Sequence, residues 1–152
     1  MKKREPKIVA CDMDHTLSAA WHRDHLIPEW DKYYVDQEAD PPIWEWIEIV
    51  RGLSAIGYKI IGLTAREEQY RAATTRWLVK HDVPIDEILM RPRGDFRASP
   101  ALKIGVLQQA YPGFHGIKMV IEDRQDVAEA FRSMGVTVVL ATAHPRFPEK
   151  SR

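Results

Sequence analysis

The chain has 152 residues, of which 45% are hydrophobic and 29% are charged, the balance of a soluble globular protein with a single core. Basic and acidic residues number 22 each, so the zero net charge argues against a protein that coats nucleic acid through bulk charge. The single cysteine, Cys11, excludes an intramolecular disulfide and a cysteine-rich zinc site. No apolar run approaches the ~20 residues that span a bilayer, and no signal peptide is recognisable, so we expect a cytoplasmic protein without a membrane partner.

Short apolar runs alternate with amphipathic stretches along the chain. Runs that are brief, unbroken and rich in β-branched residues predict buried strands at 7–11, 59–63, 85–90, 117–121 and 136–140. Helical spacing of apolar residues predicts helices at about 43–56, 66–80, 99–110 and 125–134. This alternation indicates an α/β fold, a Rossmann-like doubly wound parallel sheet of five strands with helices on both faces. The tail after Ala143 is expected to be irregular.

Polar side chains follow three of the predicted strands. Asp12 and Asp14 come after the first strand, Thr64 after the second, and Glu122 and Asp123 after the fourth. The carboxyl ends of parallel strands share one edge, where ligands bind in such sheets, so these side chains are expected to converge. Neighbouring carboxylates repel each other, and Mg²⁺, which prefers oxygen ligands, would offset that repulsion.

Those residue types are suited to phosphoryl transfer. One carboxylate of the Asp-x-Asp pair could attack phosphorus to form an aspartyl-phosphate, while the other protonates the leaving oxygen and later activates water. The Thr64 hydroxyl and nearby backbone N–H groups would bind the phosphate oxygens, and Lys103 would neutralise their charge. Each residue alone has a simpler explanation: a turn for the aspartates, a helix N-cap for Thr64 and a solvated position for Lys103. Their arrangement at successive strand ends favours an active site.

The run Asp12-Met13-Asp14-His15-Thr16-Leu17, followed by Thr64, Lys103 and Glu122-Asp123, resembles the four motifs of the haloacid dehalogenase (HAD) phosphohydrolase superfamily. The resemblance covers residues 8–141. It implies the strand order 3-2-1-4-5 and a small cap insert after the first strand, at about residues 18–40. We expect one HAD-like phosphatase domain over residues 1–152.

The resemblance also assigns roles to individual residues. It implies that Asp12 is the nucleophile and Asp14 the general acid and base. Thr64 would be the hydroxyl that binds phosphate, and Lys103 the stabilising cation. The Mg²⁺ cofactor would be held by Asp12, Asp123 and the backbone carbonyl of Asp14.

Additional segments are similar to the phosphatase domain of phage polynucleotide kinase/3′-phosphatases. These segments are His22-Arg23-x-His25-Leu26-Ile27, Trp30-Asp31-x-Tyr33, Leu63-Thr64-Ala65-Arg66-Glu67, Met90-Arg91, Gly94-Asp95-x-Arg97 and Glu122-Asp123-Arg124-x-x-Val127. The similarity implies that Arg66 and Arg23 contact the phosphate, with the backbone of Ala65 beside them. No G-x-x-x-x-G-K-[ST] loop occurs, so kinase activity is not expected.

Three positions depart from the resembled pattern. His15 stands where glycine is usual, Ser99 where an acid is common, and Glu122 where aspartate is commoner. Every charged role is still filled, so we expect catalysis to be retained. The departures leave the exact substrate open.

Aromatic and basic residues near the motifs bear on the substrate. Trp30 and Tyr33 are expected to form the core of the insert, whereas Trp21 is expected to offer a face to a nucleobase. The loop before Lys103 is either simply solvated or a basic rim for a nucleic-acid backbone, formed by Arg91, Arg93 and Arg97.

The leading hypothesis is a Mg²⁺-dependent phosphomonoesterase that removes the 3′-phosphate from nucleic-acid ends. The alternative is a nucleotidase for free (deoxy)nucleoside monophosphates, favoured by the zero net charge and the short chain. A hypothesis from another class, a non-catalytic nucleic-acid-binding adaptor, predicts a missing nucleophile or lysine, yet Asp12 and Lys103 are present. Phosphorylated nucleic-acid ends or nucleotides are therefore the expected partners, and no obligate protein partner is expected. The choices between DNA and RNA, and between 3′ and 5′ phosphates, stay open.

Overall fold

The computed structural model describes residues 4–141, so the tail predicted to be irregular lies outside the described residues. The strands are Ile8–Cys11 (β1), Lys59–Glu67 (β2), Glu87–Arg91 (β3), Ile117–Glu122 (β4) and Val138–Leu140 (β5). The α-helices are Trp30–Val35 (α1), Trp44–Ala55 (α2), Arg71–Lys80 (α3), Ser99–Ala110 (α4) and Gln125–Ser133 (α5). Among these, no helix combines the length and the apolar character that crossing a bilayer requires.

The strands form one parallel sheet in the order β3-β2-β1-β4-β5, which confirms the predicted α/β fold and strand order. Strand β1 lies at the centre, where Cys11 pairs with Gly62 of β2 and with Ile121 of β4. The Asp12 N–H continues this pairing by donating to the Ile121 carbonyl over 2.9 Å. The residues that follow β1 and β4 are therefore neighbours.

Two apolar layers cover the sheet, one on each face. One layer packs helices α2 and α3 on the strands through Val9, Cys11, Ile47, Ile60 and Trp77. The opposite layer packs α4 and α5 through Ala10, Leu63, Leu107, Val120 and Phe131. Successive residues of β1 enter opposite layers, as the two-residue period of a strand requires. The continuous apolar run of β1 thus reflects burial on both faces.

The second strand is longer than its sequence predicts. We expected β2 to end near Thr64 and a helix to begin at Arg66, but β2 continues to Glu67. After a register shift, Glu67 pairs with Arg91 of β3, so ladder pairing extends the strand. A 3-10 helix at Glu68–Tyr70 follows, and α3 begins only at Arg71.

The segment between β1 and α2, which we call the insert, contains α1 and two 3-10 helices, Ala20–Leu26 and Gln37–Ala39. Its own small core contains Tyr33 and Tyr34, with the Trp30 ring packed against them. The expectation that Trp30 and Tyr33 pack within the insert is confirmed.

Candidate active site

A tight turn after β1 directs the first motif to the edge of the sheet. The Met13 carbonyl accepts backbone N–H bonds from Thr16, Leu17 and Ser18. Within this turn His15 adopts φ +64°, the left-handed region that glycine enters most freely. This conformation explains why glycine is usual at the position in the resembled pattern.

Asp12 lies in a buried group that we call the Asp12 cluster, formed by Asp12, Lys103, Glu122 and Asp123. The Lys103 ammonium donates to Asp12 Oδ1 over 2.7 Å and to Glu122 Oε2 over 2.6 Å. The Thr16 hydroxyl donates to Asp12 Oδ2 over 3.1 Å. Both oxygens of the Asp12 carboxylate are therefore oriented by fixed donors.

The Asp12 cluster contains more carboxyl groups than cationic groups. Oxygens of Asp12, Glu122 and Asp123 lie within 4.8 Å of one another, and only Lys103 among the described residues donates a charged group to them. Burial and the nearby Asp12 charge raise the pKa values of Asp123 and Glu122. Burial alone would lower the pKa of Lys103, but the charges of Asp12 and Glu122 outweigh it and raise that pKa. Three carboxylates around one ammonium form an oxygen-rich donor set that fits Mg²⁺.

The half-buried Asp14 belongs to a second group, the Asp14 network, which it forms with the buried residues Arg23, Asp40 and Arg66. Arg66 donates to Asp14 Oδ1 over 2.7 Å, and Arg23 donates to the same oxygen over 3.1 Å. Burial would raise the pKa of the Asp14 carboxyl, but the charges of Arg66 and then Arg23 hold it well below its usual range. The structure thus brings both predicted arginines to the site, where they contact the carboxylate expected to act as the general acid.

Asp40 anchors the two arginines from the end of the insert. Its carboxylate accepts bonds from Arg23 Nε over 2.7 Å and from a terminal nitrogen of Arg23 over 2.5 Å, and Arg66 approaches it at 3.5 Å. The Asp40 backbone carbonyl also accepts the Trp77 indole N–H over 2.8 Å. Arg66 completes its bonding with Gln37 and Thr74, at 2.8 and 3.2 Å. The network is therefore saturated with internal bonds.

Thr64 is fully buried inside β2, so the N-cap explanation for it is wrong. Its hydroxyl accepts the backbone N–H of Arg66 over 3.1 Å, which holds the turn of the chain around Ala65. Lys103 lies one turn into α4, whose start at Ser99 and whose end at Ala110 match the prediction. Lys103 thus contacts Asp12, and Thr64 follows the residue of β2 that pairs with the end of β1 by two positions.

Arg91 does not belong to a basic rim. Its guanidinium is buried and donates to the carbonyls of Ala65, Asp95 and Arg97, over 3.0, 2.9 and 2.6 Å. Arg97 is also engaged, because it forms an ion pair with Asp95 at 2.7 Å. The rim hypothesis is therefore wrong for Arg91, whose role is to pin the loop between β3 and α4. Arg93 remains exposed on that loop.

His15 joins the first motif to the insert. Its Nε2 lies 3.0 Å from an Asp24 carboxylate oxygen, and its ring lies 5.4 Å from the Trp21 indole, centroid to centroid. Burial lowers the pKa of His15, but the hydrogen bond and the charge of Asp24 outweigh that effect and raise it. The side chain that replaces glycine here is thus held in place by two contacts from the insert.

Sequence reasoning assigned no role to three residues that the structure places at the site. Thr16 orients Asp12, Glu122 orients Lys103 and also accepts the Asp123 backbone N–H, and Asp40 orients Arg23. The position of Thr16 within the first motif was a usable signal. An aspartate before two prolines is an ordinary turn pattern, so nothing in the sequence singled out Asp40.

Comparison with known proteins is consistent with this site. The family model for the polynucleotide kinase PNKP phosphatase domain matches residues 6–144. A chain of the Pnkp1/Rnl/Hen1 complex superimposes with a TM-score of 0.80 at 27% identity, over 93% of this chain and 47% of that chain. A chain of the Pnkp1/Rnl/Hen1 RNA repair complex gives a TM-score of 0.82 at 26% identity, over 93% and 44%. The present chain therefore spans less than half of those relatives.

A more distant structure shares the fold alone. A hydrolase from Streptococcus pneumoniae TIGR4 superimposes with a TM-score of 0.62 at 16% identity, over 92% of this chain and 95% of that chain. The family match extends over nearly the whole chain and includes both halves of the site. The chain therefore belongs to the family of polynucleotide kinase phosphatase domains, and it is a HAD-type phosphatase.

Proposed function

We propose that this phosphatase is a Mg²⁺-dependent phosphomonoesterase that removes the 3′-phosphate from nucleic-acid ends through an aspartyl-phosphate intermediate. The observation that carries the proposal is the Asp12 carboxylate, oriented by Lys103 and Thr16 beside two further carboxylates. A buried carboxylate with both oxygens oriented is suited to attack phosphorus.

The metal would be held by the carboxylates of Asp12 and Asp123 and by the backbone carbonyl of Asp14. When bound, Mg²⁺ supplies positive charge that offsets the carboxylates and polarises a phosphoryl oxygen. Glu122 is less suited to direct ligation, since its oxygens already accept bonds from Lys103 and from the Asp123 and Arg124 backbone.

The protein groups would share two displacements. In the first, an Asp12 oxygen forms a bond to phosphorus, the ester P–O bond breaks, and Asp14 gives its proton to the departing oxygen. In the second, Asp14 takes a proton from water, the water oxygen attacks phosphorus, and inorganic phosphate leaves the regenerated Asp12 carboxylate. The Thr64 hydroxyl, the Ala65 backbone and the Lys103 ammonium stabilise the charge on the phosphoryl oxygens.

Asp14 must be protonated to act first as an acid, although Arg66 and Arg23 keep it ionised in the free protein. A phosphate dianion that competes for these two guanidiniums would weaken their pairing with Asp14. That loss would raise the pKa of Asp14 toward its ordinary value. The same arginines would thus bind the phosphate and prepare the acid.

Two observations support a nucleic-acid end as the substrate. The family shown is that of polynucleotide kinase phosphatase domains, and a structural relative belongs to an RNA repair complex. Trp21 lies beside the first motif, where its ring would stack on a nucleobase. We further propose one domain over residues 1–152, with residues 18–40 as the cap insert.

A phosphate-release panel tests the proposed function. The substrates are one oligonucleotide with a 3′-phosphate, the same oligonucleotide with a 5′-phosphate, and the matching nucleoside 3′-monophosphate, each with Mg²⁺ or with EDTA. We expect release only with Mg²⁺ and the highest kcat/KM for the 3′-phosphorylated oligonucleotide. For a single-stranded substrate, each phosphate that the protein contacts should change the slope of log affinity against log salt concentration by roughly −0.7. The excess of kcat/KM for the oligonucleotide over the mononucleotide should therefore shrink as the salt concentration rises.

Two outcomes would contradict the proposal. Full activity in EDTA would overturn the role of the metal. Equal turnover of the mononucleotide at low salt would favour the nucleotidase alternative. That alternative gains weight from the structure, because Arg91 is buried and the exposed Arg97 is paired with Asp95. Among the described residues, this leaves Arg93 as the arginine of the proposed rim that is both exposed and without an ion pair.

A further inference from the structure

A pocket of about 320 Å³ opens directly beside the first motif. Its lining includes His15, Ala19, Trp21, Ile43, Glu45 and Trp46. The volume falls at the lower end of the range of about 300–1,000 Å³ that is typical of small-molecule sites. The pocket is therefore suited to a single flat ring system with its attached sugar.

Three elements build the walls: the turn after β1, the first 3-10 helix of the insert and the start of α2. The Ile43 N–H donates to the Leu17 carbonyl over 2.8 Å, and the Ala19 N–H donates to the Pro41 carbonyl over 2.7 Å. These backbone bonds fix the start of α2 against the motif turn. His15, which directly follows Asp14 in the chain, is the part of the lining that belongs to the first motif.

The chemistry of the lining is that of a base-binding site. Trp21 and Trp46 present indole rings, and the His15 imidazole lies against Trp21. Such rings bind the flat face of a nucleobase by stacking. The buried Nδ1 of His15 has no hydrogen-bond partner in the described part of the chain.

Glu45 supplies the polar edge of the pocket. Within residues 4–141 its carboxylate makes no hydrogen bond or ion pair, and it lies in the first turn of α2. An ionised carboxylate can only accept hydrogen bonds. It therefore favours a base edge that offers N–H donors and repels an edge that offers carbonyl oxygens.

We propose that this pocket binds the base of the nucleotide that carries the scissile phosphate and that it prefers bases with an exocyclic amino group. The inference rests on the proposed function, since it concerns the leaving group of the same reaction. Guanine, adenine and cytosine present amino groups, whereas uracil and thymine present carbonyl oxygens on both sides of their single N–H. Glu45 is the residue that discriminates between them, and Trp21 provides the stacking surface.

Binding of free nucleosides tests the pocket without any catalysis. Calorimetric titration of the full chain with guanosine, cytidine and uridine should show the weakest binding for uridine. Trp21→Ala should weaken the binding of guanosine by roughly fivefold to a hundredfold, the range of base–aromatic stacking. The matched control is Trp44→Ala. Trp44 lies at the start of α2, which forms one wall of the pocket, but it is absent from the lining.

The preference itself is tested by kcat/KM for dinucleotides with a 3′-phosphate and either guanine or uracil as the terminal base. Glu45→Gln should reduce the guanine-to-uracil ratio by roughly fivefold to tenfold, since an amide both donates and accepts. Glu48→Gln, one turn further along α2, should leave the ratio unchanged.

The outcomes separate this inference from the proposed function. Equal binding of all nucleosides, or a guanine-to-uracil ratio that Glu45→Gln does not change, would overturn the base pocket while phosphatase activity stands. Nucleoside binding that Trp21→Ala abolishes, in a protein that releases no phosphate from any 3′-end, would support the pocket and overturn the proposed function.

Discussion

The Asp12 cluster and the Asp14 network lie side by side, but they differ in the ratio of acidic to basic groups. In the Asp12 cluster, three carboxylates surround the single ammonium of Lys103. In the Asp14 network, two carboxylates meet two guanidiniums, and Gln37, Ser18 and Thr74 satisfy remaining polar atoms of Arg66. The Asp12 cluster therefore has fewer cationic groups than carboxyl groups, whereas the Asp14 network has equal numbers of the two.

This difference separates two tasks of a phosphatase. The surplus of carboxyl groups in the Asp12 cluster provides oxygen ligands for a cation and, through it, a site for a phosphate. The saturated Asp14 network holds its acid in a fixed position until a phosphate competes for the arginines. Substitutions in the two halves should therefore affect activity and stability in different ways.

The largest expected effect is the loss of turnover on Asp12→Asn. The amide is almost isosteric, but it is a far weaker nucleophile, so kcat should fall on the order of a thousandfold or more. Phosphate release from a 3′-phosphorylated oligonucleotide measures the change, and circular dichroism checks the fold. Near wild-type rates in the folded variant would refute the role of Asp12 as nucleophile.

Next in size is the loss of stability on Lys103→Ala. Removing the one ammonium leaves three buried carboxylates without a cation, which should lower the free energy of unfolding by about 3–5 kcal/mol in EDTA. Lys118→Ala is the control, because the exposed Lys118–Glu5 pair at 3.5 Å should contribute at most about 1 kcal/mol. Urea unfolding measures the free energy of unfolding of both variants. Equal losses would contradict the claim that Lys103 offsets the carboxyl groups of the Asp12 cluster. Added Mg²⁺ should recover part of the Lys103→Ala loss.

A direct contrast between the halves comes from the same substitution at two aspartates. Asp14→Asn leaves two buried guanidiniums with one carboxylate and should lower the free energy of unfolding by about 2–3 kcal/mol. In EDTA, Asp12→Asn should cost far less, since it removes one of three repelling carboxylates. A larger loss in the free energy of unfolding for Asp12→Asn than for Asp14→Asn would contradict the proposed difference between the two groups.

The phosphate-binding role of the arginines predicts a smaller change in activity. Arg66→Lys and Arg23→Lys keep the charge but lose the planar fork, so kcat/KM should fall by roughly tenfold to fiftyfold. Arg93→Lys, on the exposed loop, should change kcat/KM by less than about twofold, because long-range charge is preserved. Similar effects at all three positions would remove Arg66 and Arg23 from the phosphate site.

The smallest expected effect concerns pH and the His15–Asp24 pair. Asp24 raises the folded-state pKa of His15 above its ordinary value of about 6.5, so the protonated pair stabilises the fold most fully below that pH. This contribution is lost as the pH rises through the folded-state pKa. Asp24→Asn should therefore cost about 1 kcal/mol more at pH 6 than at pH 9 in urea unfolding. Asp36→Asn, an exposed control in the insert, should show no such difference.

Much of the fold could be predicted because its signals are local. The apolar runs of β1 and β4 and the proline start of α4 define elements without reference to the rest of the chain. The extension of β2 was missed because it depends on Glu67 pairing with Arg91, a contact between separate strands. Local pattern does not reveal such pairing.

The residues of the candidate site also fall into those that local motifs predicted and those that depend on the folded chain. Asp12 and Lys103, 91 positions apart, were found because their motifs resemble a known family. Asp40 was missed, and Arg91 was misplaced on the surface, because their roles depend on carbonyls and guanidiniums that only the folded chain brings near. Burial of a charged side chain depends on such partners, and composition does not report them.

The covalent role of Asp12 can be tested by trapping the intermediate. The protein is mixed with Mg²⁺ and a 3′-phosphorylated oligonucleotide, and the reaction is quenched with borohydride, which reduces an acyl phosphate to an alcohol. Peptide mapping by mass spectrometry should then find the reduced side chain at position 12, only when both Mg²⁺ and substrate are present. A reduced residue at any other aspartate or glutamate would contradict the assignment of Asp12 as the nucleophile.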